Sequence, residues 1–67
     1  MDKQELKEVI RGIEDIYVRI VGKNFNVEFY INDVKIIYFE ECVEIVYCNE
    51  GMRVKLNYSD IEGVKEK

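Results

Sequence analysis

A chain of 67 residues supports one hydrophobic core, because a chain of this size buries only about 60% of the surface its unfolded form exposes, so a single domain over 1–67 is expected. With 48% hydrophobic and 36% charged residues and a net charge of −4, the composition is too apolar for a disordered segment, and its acidity works against phosphate binding. No apolar run approaches the roughly 18 residues a membrane-spanning helix needs, and Met1 to Glu8 are charged where an export signal is apolar, so a cytoplasmic protein without membrane contact is expected.

Asp2 followed three residues later by Glu5 has the form of a helix cap with its reciprocal partner, which predicts a helix over about residues 2–12. Leu6, Val9, Ile10 and Ile13 fall on one face of it, while Lys3, Lys7, Glu8 and Arg11 occupy the rest. Gly12 is expected to close the last turn in a left-handed conformation. About three turns are too short to be stable alone, so the apolar stripe must rest on other elements.

From Ile13 onward the period changes from 3.6 to 2. Alternation predicts strands over about 14–21, 25–31, 34–39, 42–48 and 52–58. Asn32 and Asp33 tolerate positive φ and predict a tight hairpin between the second and third strands; Glu40 and Glu41 make the next turn, and Gly51 supplies positive φ in the last. The third run is apolar on both sides, with Val34, Ile36 and Tyr38 on one and Ile37 and Phe39 on the other. Helix cover or closure of the sheet is the expected reason. Ser59 with Glu62 repeats the capping pattern, so a helical turn over about 60–64 is predicted to pack Ile61 and Val64 onto the sheet, ahead of a frayed Lys65 to Lys67. The expected fold is α+β, a short N-terminal helix followed by a five-stranded antiparallel meander, either a curled sheet or a small open barrel.

The chemistry available is narrow. Histidine is absent, which removes the commonest general base and neutral metal ligand. Cys42 and Cys48 lie in one predicted strand at a separation of about 20 Å, beyond the roughly 7 Å over which two Cα atoms can be bridged. The neighbouring Glu40, Glu41, Glu44 and Glu50 disfavour a reactive thiolate. Neither zinc nor EF-hand spacing occurs, and each glycine has a turn or cap to explain it. The sequon Asn57-Tyr58-Ser59 is read as chance. No enzymatic activity, cofactor or metal is expected.

Charge is distributed unevenly. Residues 1–24 sum to zero, and nine acidic against five basic groups in residues 25–67 carry the whole net charge of −4. Between Glu28 and Glu50 there are six carboxylates and one lysine, Lys35. Such a segment, with Tyr30, Ile37 and Phe39 exposed, would steer toward a basic protein partner and anchor through aromatic groups. The expected partner-binding residues are Glu28, Tyr30, Glu40, Glu41 and Glu44. In composition the chain resembles small acidic inhibitors carried by phage or mobile elements, which block nucleic-acid-binding host proteins.

Two alternatives rest on other features. A helix followed by five strands ending in Val54-Lys55-Leu56-Asn57-Tyr58-Ser59-Asp60-Ile61 resembles the element order of small barrels of the Sm-like type, and that resemblance implies RNA binding, with Arg19, Arg53 and Lys55 beside Tyr17 or Tyr30 as the patch. Proline is absent, so edge strands lack a common block to strand addition. A dimerising scaffold is then expected to pair through an edge strand or through the Ile37 and Phe39 face.

Overall fold

In a computed structural model that describes residues 1–66, the helix forms as its cap dictates. Helix α1 runs Lys3–Arg11, with the Asp2 side chain accepting from the Glu5 amide at 2.9 Å and the Glu5 carboxylate accepting from the Asp2 amide at 3.3 Å. Leu6 is fully buried and Ile10 and Ile13 pack against the core, whereas Val9 stays 39% exposed at the margin of the stripe. Gly12 departs from expectation. It remains right-handed (φ −83°, ψ −5°), because its amide reaches the carbonyls of Glu8 (3.1 Å) and Val9 (3.2 Å) and the helix closes on a tightened turn.

Six antiparallel strands follow: β1 (Tyr17–Gly22), β2 (Asn26–Tyr30), β3 (Val34–Tyr38), β4 (Cys42–Tyr47), β5 (Met52–Asn57) and β6 (Ile61–Glu66). They form two three-stranded sheets, ordered β2-β1-β6 and β3-β4-β5, which do not join into a closed barrel. The fold class is α+β with open, curled sheets. One core lies between the sheets: Val18, Ile20, Phe29 and Ile61 from the first, Val43, Ile45 and Leu56 from the second, with Leu6 of the helix and Tyr58. The helix packs beside β6, and the Met1 nitrogen donates to the carbonyls of Tyr58 (3.4 Å) and Ile61 (3.2 Å).

The crossings between sheets differ from the predicted connections. Asn32 and Asp33 do not make a hairpin, since Ile31–Asp33 is a 3-10 turn, β2 and β3 lie in different sheets, and among the described residues only Gly51 has positive φ (71°). The crossing is tied to both sheets: the Ile31 amide donates to the Ile16 carbonyl (2.7 Å) and the Cys48 amide to the Asp33 carbonyl (3.0 Å). A second 3-10 turn, Tyr58–Asp60, carries the chain back. There the Tyr58 hydroxyl donates to the Phe39 carbonyl (2.7 Å) and the Lys23 amide to the Asp60 carbonyl (3.4 Å).

The helical turn predicted over 60–64 is instead strand β6, which also includes Lys65 and Glu66 of the expected tail; Lys67 lies outside the described residues. The physical reason is a bulge. Pairing of β6 with β1 runs Ile20 with Val64, Val21 with Gly63, then Gly22 with Ile61, leaving Glu62 as an extra residue. One extra residue changes the parity of a strand, so Ile61 and Val64, three apart, both reach the core as they would on a helix. Gly22 is needed at this bend, because a Cβ there would run into the Phe25 ring.

Strand β3 turns Val34, Ile36 and Tyr38 toward the core. Its other side is not covered as expected, since Ile37 is half-buried and Phe39 is 44% exposed. No helix among the described residues is long and apolar enough to cross a membrane.

Candidate functional site

Where the first crossing leaves β2, the ends of both sheets meet and three tyrosines converge. Tyr17 opens β1 and Tyr30 closes β2, and the antiparallel register sets them opposite one another with ring centroids 5.4 Å apart at 70°. Tyr47, the last residue of β4, comes from the other sheet, and its hydroxyl donates to the Glu28 carbonyl at 2.8 Å. That carbonyl belongs to β2, an edge strand, so the tyrosine both satisfies an edge acceptor and ties the sheets together.

Beside these rings lies a half-open cleft of about 290 Å³, lined by Tyr17, Tyr30, Tyr47 and the acidic Glu28, Asp33 and Glu50, with no lysine or arginine of the described residues in its wall. Alternation places Glu28 on the same side of β2 as Tyr30, and the 3-10 turn presents Asp33 at the cleft mouth. The electrostatics record the convergence. Desolvation raises the Tyr17 hydroxyl above its usual range, with the Glu28 carboxylate adding to the effect and Arg19 opposing it. Desolvation likewise raises Tyr47, reinforced by the charges of Glu50 and Glu28. Arg19 faces Glu28 across the ladder, yet no ion pair within 4 Å joins them among the described residues; the Arg19 Nε is buried without a hydrogen-bond partner there.

Of the five expected partner-binding residues, Glu28 and Tyr30 come together here and the other three lie elsewhere. Glu40 and Glu41 sit at the far end of β3, roughly 17 Å away at about 3.3 Å per residue over its length. Glu40 is paired with Lys3 at 3.3 Å, beside a shallow polar hollow whose wall mixes Lys3 and Lys7 with Glu40 and Glu41. Glu44 lies on the outer face of the second sheet, its side chain 12% exposed, 3.4 Å from Arg53 and opposite Lys55 in the ladder. The expected basic and aromatic patch also divides: Arg19 and Tyr17 stand on the first sheet, Arg53 and Lys55 on the second. On the second sheet the Lys55 ammonium lies 5.7 Å from the Phe39 ring centroid.

Asp33, Tyr47 and Glu50 are the cleft residues that strand patterning does not single out. A signal for them exists in the crossings. Ile31-Asn32-Asp33-Val34 and Tyr58-Ser59-Asp60-Ile61 share an order of large apolar or aromatic residue, small polar residue, Asp and β-branched residue, and both are 3-10 turns between sheets. Reading the first as a crossing places the end of β2 beside the end of β4.

Cys42 and Cys48 are free thiols in this fold. Comparison of the chain with protein-family models, curated proteins and solved structures finds no significant match.

Proposed function

We propose that this protein is a non-catalytic protein-binding module that takes a basic partner through the cleft of Tyr17, Tyr30 and Tyr47. One observation carries the reading: three carboxylates and three tyrosines line a single concavity whose wall, among the described residues, contains no lysine or arginine. Aromatic faces and the exposed carboxylates beside them both favour a cation, and their attraction strengthens where the bound group displaces water. The net charge of −4 adds long-range steering toward a cationic macromolecule. Occupying the basic, nucleic-acid-binding surface of another protein, as an inhibitor of phage or mobile-element type would, is the biological role that the composition fits. The partner would reach the cleft and the exposed Tyr30, 51% accessible, without rearrangement of the sheets.

The test is titration of the intact chain with a lysine- and arginine-rich peptide at low and at high salt, followed through amide chemical shifts. Shifts should concentrate at Tyr17, Glu28, Tyr30 and Asp33 and weaken as salt rises. Binding that ignores salt, or that survives unchanged in Glu28→Gln combined with Glu50→Gln, would refute the proposal.

A second reading has one observation in its favour. Lys35, Arg53 and Lys55 share the outer face of the second sheet with Phe39, an arrangement that could meet a nucleic-acid backbone and a base. A gel shift of single-stranded RNA at low salt, lost on Lys55→Ala, would favour it over the acidic cleft.

A further inference from the structure

Building on that reading of the cleft, we infer that the group it takes is an arginine guanidinium, in preference to a lysine ammonium or a methylated ammonium. At about 290 Å³ the cleft lies at the small end of ligand pockets, which run from about 300 to 1,000 Å³, so it suits the head of one side chain. Its acceptors are spread around the wall: Glu28 comes from β2, Asp33 from the crossing and Glu50 from the loop after β4. A point-like ammonium has three donors at one atom, whereas guanidinium spreads five N–H groups over a rigid plane and can meet carboxylates on more than one side. A quaternary ammonium has no donor and would make no hydrogen bond to any of the three carboxylates.

The rings point the same way. Tyr17 and Tyr30 stand at 70° to one another, so a planar cation can lie flat on one face while its edge carries hydrogen bonds to Glu28 and Asp33. The Tyr47 hydroxyl proton is already given to the Glu28 carbonyl at 2.8 Å. Its oxygen is left as an acceptor, which a guanidinium can use and a trimethylammonium cannot.

Three blocked peptides with arginine, lysine or trimethyl-lysine at the centre of one otherwise uncharged sequence separate these cases. Amide chemical shifts of the full chain are followed during each titration. The arginine peptide should bind at least about tenfold more tightly than the lysine peptide, about 1.4 kcal/mol, with shifts at Tyr17, Glu28, Tyr30 and Asp33. That preference should collapse in Glu28→Gln and in Tyr30→Ala, two exposed positions whose replacement should leave the shifts of residues away from the cleft unchanged. Equal affinity for arginine and lysine, or preference for trimethyl-lysine, would overturn the arginine assignment and leave a cation-binding cleft in place. Absence of cleft shifts with all three peptides would overturn the assignment and the cleft reading together.

Discussion

The two sheets are equal in strand number and opposite in how they treat charge. In the second, β3, β4 and β5 are consecutive in the chain, the registers are regular, and Glu44 on the outer face meets Arg53 and lies opposite Lys55. In the first, β6 pairs with β1 across a bulge, and Glu28, opposite Arg19 in the ladder but in no ion pair within 4 Å among the described residues, lies beside Tyr17, Tyr30 and Tyr47. The difference lies in distance: Glu44 reaches a cation within 3.4 Å, whereas Glu28, with Arg19 opposite it, reaches none within 4 Å among the described residues. Carboxylates outside an ion pair and next to aromatic faces are the feature on which the proposed cation binding rests.

The largest expected effect probes the bend that permits the first sheet to close. Gly22→Ala should destabilise by about 1–3 kcal/mol, since the new methyl forces the Phe25 ring aside. Gly63→Ala, with nothing within 4 Å of the added Cβ, should be close to neutral. Urea unfolding of both variants checks this, and equal midpoints would show that the ring contact does not constrain the bend.

Next in size is the contrast in binding. Glu28→Gln with Glu50→Gln should weaken a basic peptide tenfold or more, in the range of about 1.5–3 kcal/mol expected of hydrogen bonds to charged groups. Glu40→Gln with Glu41→Gln should leave it unchanged. If the second pair matters as much as the first, binding follows overall charge and the cleft has no special role.

Tyr47→Phe should cost about 1 kcal/mol by denaturant unfolding, the usual net worth of one hydrogen bond, because it removes the exposed bond to the Glu28 carbonyl that ties the two sheets. Arg53→Ala should cost less, about 0–1 kcal/mol, and less again at high salt, since the arginine is 66% exposed. A larger loss at Arg53 than at Tyr47 would reverse the ranking of the two regions.

The smallest effect is a spectroscopic one. Desolvation raises the hydroxyls of Tyr17, Tyr38, Tyr47 and Tyr58 above their ordinary value of 10.0, and Glu28 adds to the rise only at Tyr17 and Tyr47. Glu28→Gln should therefore lower the pH at which Tyr17 and Tyr47 ionise, read from ring chemical shifts against pH, and leave Tyr38 and Tyr58 in place. Because folding favours the neutral phenol at all four, their contribution to stability is complete below pH 10 and is lost as pH rises through the raised folded values. A urea midpoint that rises over that interval would contradict the sign.

Much of the fold was legible because it depends on residues close in sequence. Asp2 and Glu5 specify the helix start, Gly51 its turn, and alternation from Tyr17 to Asn57 the core side of each strand. The site was legible only in part. Glu28 and Tyr30 share a face by the period of a strand, but joining them to Glu40, Glu41 and Glu44 treated nearness in sequence as nearness in space. Glu40 found Lys3 and Glu44 found Arg53, partners from other elements.

By itself, then, the order of residues determined the helix, the strand periodicity and the acidic balance, since each follows from hydrogen bonding and side-chain spacing within a few positions. Only the tertiary structure decided that Ile31–Asp33 crosses between sheets, that a bulge at Glu62 makes the last segment a strand, and that Tyr17, Tyr30 and Tyr47 share one cleft. Those outcomes turn on which distant strands pair, and pairing is settled by burying one core between two sheets, a condition no short window of sequence contains.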